Sequence, residues 1–315
     1  MDEAGGMHHT CIIRAPSAPS LQYVVVMRLF ARPVLSAAAL VLSTGAARVA
    51  ALSTAATPKK VAVFGGTGYV GSAVCERLAA RGHTVTALSR RGINPKPNDE
   101  NLSKVTWIAG DATDPKTVRN LINNNDAAVH AVGLLFDVDS GLAQFNTIVS
   151  GSGSLPGDSS TYDAITRQTM FNVVDAIEKK PSLPFANNGK YPLAFVSCAE
   201  AGWPDVPGGK FVDEKLAPEW LKRYLVAKRA VEARLNSSSK IRACMMRPSL
   251  IWDWTKYDVL PAIPIFNIAS AVGVPFVDKT VRVETLADAI VQCIEDDDLE
   301  GVQRYMQMEE LAKRA

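Results

Sequence analysis

Two groups of residues in this chain have the types and spacing that chemistry requires. The first is a glycine-rich segment that follows a short apolar run and precedes a helical pattern. Glycines at this spacing let the backbone turn tightly and approach a pyrophosphate, and a helix that starts there directs its positive end at the phosphates. The order of strand, turn and helix predicts a dinucleotide site. Its residues are Gly65, Gly66, Thr67, Gly68, Tyr69, Val70 and Gly71.

The second group is Tyr224 and Lys228, which share one face of a predicted helix in the segment RYLVAK. A tyrosine one turn from a lysine can act as an acid or base. The lysine charge lowers the pKa of the phenol, and the amine can also hold a nicotinamide ribose. A half-buried tyrosine on a surface helix is the alternative interpretation. The position after the fifth strand of a dinucleotide fold favours the catalytic interpretation.

The residues after the second predicted strand indicate which dinucleotide is preferred. An NAD site places an acidic residue here to hold the ribose hydroxyls. This chain has Ser89, Arg90 and Arg91 instead. Because a guanidinium matches phosphate oxygens in a fork geometry, the pair predicts NADP(H) in preference to NAD(H). Two solvated arginines on a loop are the alternative.

The elements that must position these residues alternate between strand and helix. The predicted strands are 61–64, 83–91, 104–110, 127–134, 193–197 and 241–246. The predicted helices are 72–80, 117–123, 162–179, 219–235 and 283–294. This alternation predicts an α/β fold with a doubly wound parallel sheet of the Rossmann type.

Domain boundaries follow from changes in composition. Residues 58–311 are predicted to form the dinucleotide-binding domain. Within it, residues 137–161 are rich in Gly and Ser and are predicted to be a long loop. Residues 252–311, which begin with an apolar stretch rich in Pro and aromatic side chains, are predicted to form a small C-terminal substrate region.

Residues 1–57 have the composition of an organelle-targeting presequence. No acidic residue occurs between Glu3 and Glu76, and four arginines lie among Ala, Ser, Leu and Val. We expect a mitochondrial presequence, with a plastid signal or a secretory leader as alternatives. The apolar run at 34–42 is short for a bilayer span, so no transmembrane segment is expected in the mature chain.

Composition excludes several other classes of function. The net charge is only +2, and the sequence has no basic stripe with interleaved aromatic residues. No nucleic-acid partner is therefore expected. The five cysteines are scattered and form no CxxC pair, which is typical of a reducing compartment. The histidines are isolated or lie in the leader, so no metal site is predicted.

Several segments together resemble the extended and atypical members of the short-chain dehydrogenase/reductase superfamily. They are GGTGYVG, the strand-end Asp111, AFVSCAEAG, YLVAK and RPSLIWD. Other segments are similar to mitochondrial atypical members that are linked to ubiquinone biosynthesis; these are HAVGLLF, YDAITRQT, YLVAKRAVEA and VRVETLADAIVQCIEDDD. The NADPH-binding accessory subunit of complex I and plastid-lipid-associated proteins are near relatives of that group.

The resemblance implies a role for each matching residue. Gly65, Gly68 and Gly71 would bind the pyrophosphate, and Arg90 and Arg91 would bind the 2′-phosphate. Tyr224 would be the acid or base. The remaining cofactor contacts would be Asp111 and Ala112 at the adenine, Ala131, Val132 and Gly133 along the cofactor, Lys228 at the nicotinamide ribose and Pro248 near the nicotinamide amide.

One position departs from the family pattern. Catalytically competent members carry a Ser or Thr just after the fifth strand, where this chain has Cys198, preceded by Ser197. A thiol is a weak hydrogen-bond donor and would polarise a substrate oxygen poorly. Three functions stay open: support of a membrane-associated ubiquinone-biosynthesis complex, an active NADPH-dependent reductase of a quinone-like or lipid-like substrate, and a complex I accessory subunit.

Overall fold

The structure is a computed structural model that describes residues 57–146, 157, 160–181, 189–255 and 260–315. The predicted presequence, apart from residue 57, lies outside the described residues, as do residues 147–156 and 158–159 of the predicted loop at 137–161.

Two parallel sheets occur in the described part of the chain. The strands of the main sheet are β1 (Lys60–Phe64), β2 (Thr84–Ser89), β3 (Thr106–Ala109), β4 (Ala127–His130), β5 (Tyr191–Val196), β6 (Ile241–Met246) and β9 (Gly301–Gln303). A small ribbon pairs β7 (Ile251–Trp252) with β8 (Val281–Arg282).

The helices connect these strands. They are α1 (Tyr69–Ala80), α2 (Glu100–Ser103), α3 (Pro115–Asn123), α4 (Thr169–Lys179), α5 (Gly209–Phe211), α6 (Glu219–Asn236), α7 (Ala262–Ala271), α8 (Val283–Glu295) and α9 (Tyr305–Ala312). Two segments, Asp163–Gln168 and Val212–Leu216, are π-helical. Short 3₁₀ segments lie at Val138–Ser140, Ala143–Phe145 and Ala199–Asp205.

The order of the main sheet confirms the predicted fold class. Its seven strands run β3-β2-β1-β4-β5-β6-β9, and every neighbouring pair is parallel. The order reverses between β1 and β4, which is the switch point of a doubly wound Rossmann sheet. A crevice forms at the carboxyl ends of the strands there, because the connections after β1 and β4 leave toward opposite faces.

Helices cover both faces of the sheet, so a hydrophobic core lies on each face. Successive side chains of β1 point alternately into these two cores. Val61 and Val63 belong to the cluster that packs on α1, α8 and α9, whereas Ala62 and Phe64 belong to the cluster on α3, α4 and α6. A strand that is buried on both faces reads as a continuous apolar run, as the sequence of β1 does.

The C-terminal part of the chain differs from the prediction. Residues from Val283 onward form α8, β9 and α9 and contribute to the core, and Val281 of the ribbon belongs to the same core cluster. Helix α7 has no buried residue and exposes Ile265 and Ile268. No helix in the described ranges is long and apolar enough to cross a bilayer.

Candidate functional site

The glycine-rich turn, which runs from Gly65 to Gly68, connects β1 to α1, and the other three predicted phosphate-loop residues form the first turn of α1. Gly65 has φ +82°, and a Cβ atom there would lie 2.9 Å from the carbonyl oxygen of Ala131. A Cβ atom at Gly71 would lie 2.1 Å from the carbonyl oxygen of Gly65, so helix α1 crosses the turn in direct backbone contact. These contacts admit only glycine at both positions.

The start of α1 has the properties of an anion site. Its N-cap is Gly68, which supplies no side-chain cap, and the first turn contains no acidic residue. In contrast, Asp114 caps α3 by accepting hydrogen bonds from the amides of Lys116 and Thr117, each at 3.1 Å. The first turn of α1 therefore keeps its amides and its positive dipole end for a ligand.

The other predicted cofactor residues follow the carboxyl ends of neighbouring strands. In the register of the sheet, Phe64 pairs with both Leu88 and His130, and Val196 pairs with Met246. Arg90 and Arg91 thus follow β2, Ala131 to Gly133 follow β4, and Pro248 follows β6. The sheet brings these residues to one edge, beside the glycine turn, as the sequence predicts.

Exposure along this edge differs between its two ends. Arg90 and Arg91 are exposed, as is Asp111 beyond β3, whereas Pro248 is buried and its carbonyl accepts a hydrogen bond from the amide of Ala199 at 2.8 Å. Asp111 also closes a turn by accepting a hydrogen bond from the amide of Thr113 at 2.8 Å. The phosphate end is therefore open and the far end is enclosed.

Tyr224 and Lys228 lie together on α6, at the enclosed end. The Lys228 ammonium donates a hydrogen bond to the carbonyl of Val196 at 2.7 Å. It lies 5.5 Å from the ring centre of Tyr224 and 4.9 Å from that of Phe195. The predicted pair is thus assembled at the end of β5, with the amine 3.7 Å from a Cβ position at Gly133.

Burial shifts the pKa of each group in this cluster toward its neutral form. It lowers the pKa of Lys228 to about 8. It raises the pKa of Tyr224 well above its usual value, and the neighbouring Cys198 and Glu200 act in the same direction. The phenol pKa therefore shifts in the direction opposite to the one expected from a neighbouring lysine, because burial disfavours the phenolate.

The two residues after β5 point to different partners. The Ser197 hydroxyl donates a hydrogen bond to Oε1 of Glu232 at 2.6 Å, within a buried network on α6. Cys198 packs with Leu225 and Tyr224. Burial, then Glu200, raises the pKa of Cys198 to about 12, so the thiol stays protonated. A catalytic role for either residue stays a prediction.

Three residues of this region were missed in the sequence. The ring of Tyr162 packs edge-on against Tyr224 at 5.5 Å, and its hydroxyl donates to the carbonyl of Leu135 at 2.7 Å. The charge of Glu200 acts on Cys198, and burial raises the pKa of the Glu200 carboxyl group. Glu232 accepts the Ser197 hydrogen bond. Of these three residues, only Tyr162 was indicated by the sequence, because it begins the YDAITRQT segment that carries part of the family resemblance.

Comparison with known proteins identifies the class. The family described as NAD(P)H-binding matches residues 65–297, which is most of the domain. The chain belongs to this NAD(P)H-binding family. Across the described ranges, no group of three or more His, Cys, Asp or Glu side chains could hold a metal ion.

Two relatives align over most of this chain. MIOREX complex component 2 of Saccharomyces cerevisiae is 24% identical over 296 residues, which are 81% of this chain and 99% of the relative. An uncharacterised chloroplastic protein of Arabidopsis thaliana is 25% identical, over 81% of this chain and 78% of its own length.

Two solved structures show the same fold. The Bordetella bronchiseptica enzyme WbmH in complex with NAD⁺ has a TM-score of 0.51 at 19% identity, covering 79% of this chain and 76% of its own. The 3-hydroxyacyl-CoA dehydrogenase type-2 of Mycobacterium avium has a TM-score of 0.50 at 20% identity, covering 78% and 93%. At these identities the likeness concerns the fold alone.

Proposed function

We propose that this chain is an NADP(H)-binding, atypical short-chain dehydrogenase-like protein of mitochondria that supports ubiquinone biosynthesis or the complex that performs it. One contrast carries the proposal. The phosphate turn keeps backbone contacts that only glycine allows, at Gly65 and Gly71, while the position beside Tyr224 holds a protonated thiol. Such a site can hold a dinucleotide, but it polarises a substrate oxygen weakly.

The preference for NADP(H) rests on the end of β2. Arg90 and Arg91 are exposed at the carboxyl end of this strand, where an NAD site places a carboxylate. The 2′-phosphate of NADP(H) would meet the guanidinium groups here, while the pyrophosphate lies at the start of α1. Within this proposal, Asp111 and Ala112 contact the adenine and Pro248 lies near the nicotinamide amide.

The supporting role rests on the relatives and on the leader. The yeast relative, which aligns with this chain over 99% of the relative's own length, is named as a component of a complex. The basic, acid-poor composition of residues 1–57 favours a mitochondrial location, on the matrix side of the inner membrane, and the chloroplastic relative supports the plastid as the alternative.

A second candidate is an active NADPH-dependent reductase. The observation that favours it is the placement of Tyr224 and Lys228 on one face of α6, with the ammonium 5.5 Å from the ring. In this mechanism a dinucleotide supplies the hydride. Lys228 would hold its ribose, and Tyr224 would give a proton to the substrate oxygen.

Replacement of single residues separates the two candidates. We would express Gly71→Ala and Tyr224→Phe in cells that lack the protein and measure their ubiquinone content. The supporting role predicts that Gly71→Ala loses function, while Tyr224→Phe keeps both function and NADPH binding. Loss of function in a Tyr224→Phe protein that still binds NADPH would favour the reductase. Normal ubiquinone without the protein would refute the ubiquinone link, and co-migration with complex I would favour the accessory subunit.

A further inference from the structure

A cavity lies beside the dinucleotide edge, at the carboxyl ends of β5, β6 and β9. Its volume is about 200 Å³, and its wall includes Trp203, Phe276, Arg247 and Arg304. None of the residues predicted to bind the cofactor or to act in catalysis lines it. A water molecule needs only a small fraction of this volume, so the cavity has room for a small organic molecule.

Each arginine in the wall is held along one edge by a carboxylate. Arg247 donates from Nε and Nη2 to the two carboxylate oxygens of Glu232, at 3.0 and 2.6 Å. Arg304 donates from Nε and Nη2 to the two oxygens of Asp278 in the same manner. Both carboxylates are buried, so the forks are fixed. In each guanidinium this pairing leaves the Nη1 group available.

The Nη1 group of Arg247 faces the cavity. A Cβ atom at Gly202 would lie 2.6 Å from this nitrogen, and Asp205 Oδ2 lies 3.6 Å from it; both residues belong to the cavity wall. Glycine at position 202 therefore keeps the space in front of Nη1 open. The side chain of Asp205 is 73% exposed, so its carboxylate can move into solvent at little cost.

The other side of the cavity is apolar. Trp203 donates its indole N–H to the carbonyl of Phe276 at 2.9 Å, so the indole contributes apolar surface with its polar atom already paired. Val206 and Pro275 extend this wall. A guanidinium N–H donor and aromatic side chains in one cavity wall are the groups that a ring with one anionic substituent requires.

We propose that this cavity binds a small aromatic monocarboxylic acid. Its carboxylate takes the place of Asp205 against Nη1 of Arg247, and its ring packs on Trp203 and Phe276. A monoanion fits better than a phosphate dianion, because Glu232 and Asp278 already neutralise the two arginines. Glu232 also accepts the Ser197 hydrogen bond, which connects this site to the end of β5.

Calorimetric titration of the purified full chain with benzoate tests the proposal. Benzoate is expected to bind at one site, whereas benzyl alcohol and inorganic phosphate are not. Asp205→Asn removes the competing carboxylate and is expected to tighten benzoate binding about two- to fivefold, the range of an exposed ion pair. Asp298→Asn, an equal change of charge at an exposed residue after α8, is expected to leave the affinity unchanged.

A second variant tests the geometry. Gly202→Val fills the space before Nη1 and is expected to weaken benzoate binding at least tenfold. Absence of benzoate binding, equal binding of benzyl alcohol, tighter binding of phosphate, or an Asp205→Asn protein with unchanged or weaker affinity would each overturn the proposal. The Asp205→Asn arm stays decisive if Gly202→Val does not fold, because Asp205 is exposed. No dinucleotide is needed, so this test is independent of the proposed function.

Discussion

The buried amine of Lys228 makes the stability of this protein depend on pH above neutrality. Lys228 is 3% exposed, and burial lowers its pKa from the model-compound value of 10.5 to about 8 in the folded chain. Between these two values the unfolded chain binds more protons than the folded chain, so the free energy of unfolding rises with pH. The contribution from this group amounts to about 2–3 kcal/mol between about pH 7 and pH 10.

The Lys228→Met variant isolates that contribution. Urea denaturation followed by tryptophan fluorescence at several pH values gives the free energy of unfolding for each protein. The wild type is expected to gain about 2–3 kcal/mol relative to Lys228→Met as the pH rises from about 7 to 10. Lys222→Met on the same helix, where the amine is partly exposed and paired with Glu219, is the control and should follow the wild type. Parallel pH profiles for wild type and Lys228→Met would refute the burial of a charged amine at this site.

Three further changes test other parts of the molecule. Gly71→Ala pushes a Cβ atom into the Gly65 carbonyl and should lower the free energy of unfolding, measured by urea denaturation, by about 1–3 kcal/mol. The same change should weaken NADPH binding at least tenfold, and unchanged binding would contradict the assignment of the glycine turn as the phosphate site. Glu232→Gln removes the buried carboxylate that pairs with the largely enclosed Arg247 and should cost about 3 kcal/mol, a value that a thermal melt matching the wild type would exclude. Burial lowers the pKa of His130 to about 3, so wild type should lose about 2 kcal/mol between about pH 7 and 5, as protons bind the unfolded imidazole. His130→Leu should lack that loss, and an equal loss would contradict it.

The sequence predicted the part of the molecule in which the residues that contact one another are also close together in the chain. The glycine turn, β1 and α1 are contiguous in sequence, so the apolar run and the spacing of Gly65 and Gly71 already contain the geometry. The remaining cofactor residues were predicted because parallel strands bring their carboxyl ends to one edge. The strand order alone therefore predicts that these residues lie together at the carboxyl edge of the sheet.

The rest depends on contacts between residues far apart in the chain. Strands of two or three residues, such as β7 and β9, show no periodicity that a sequence could reveal. The inward direction of Ser197 depends on Glu232, which lies on another element. The pKa of Tyr224 depends on burial, which spacing alone does not give.

Titration of the purified chain with NADPH and NADH, followed by cofactor fluorescence, tests the central claim most directly. We expect NADPH to bind more tightly than NADH. The Arg90→Ala/Arg91→Ala protein should bind NADPH at least tenfold more weakly, since each lost charge-assisted hydrogen bond is worth about 1.5–3 kcal/mol, and should bind NADH as before. Lys313→Ala/Arg314→Ala, an adjacent exposed basic pair at the end of α9, is the matched control. Failure of both dinucleotides to bind, or an equal effect of the arginine pair on both, would contradict the account.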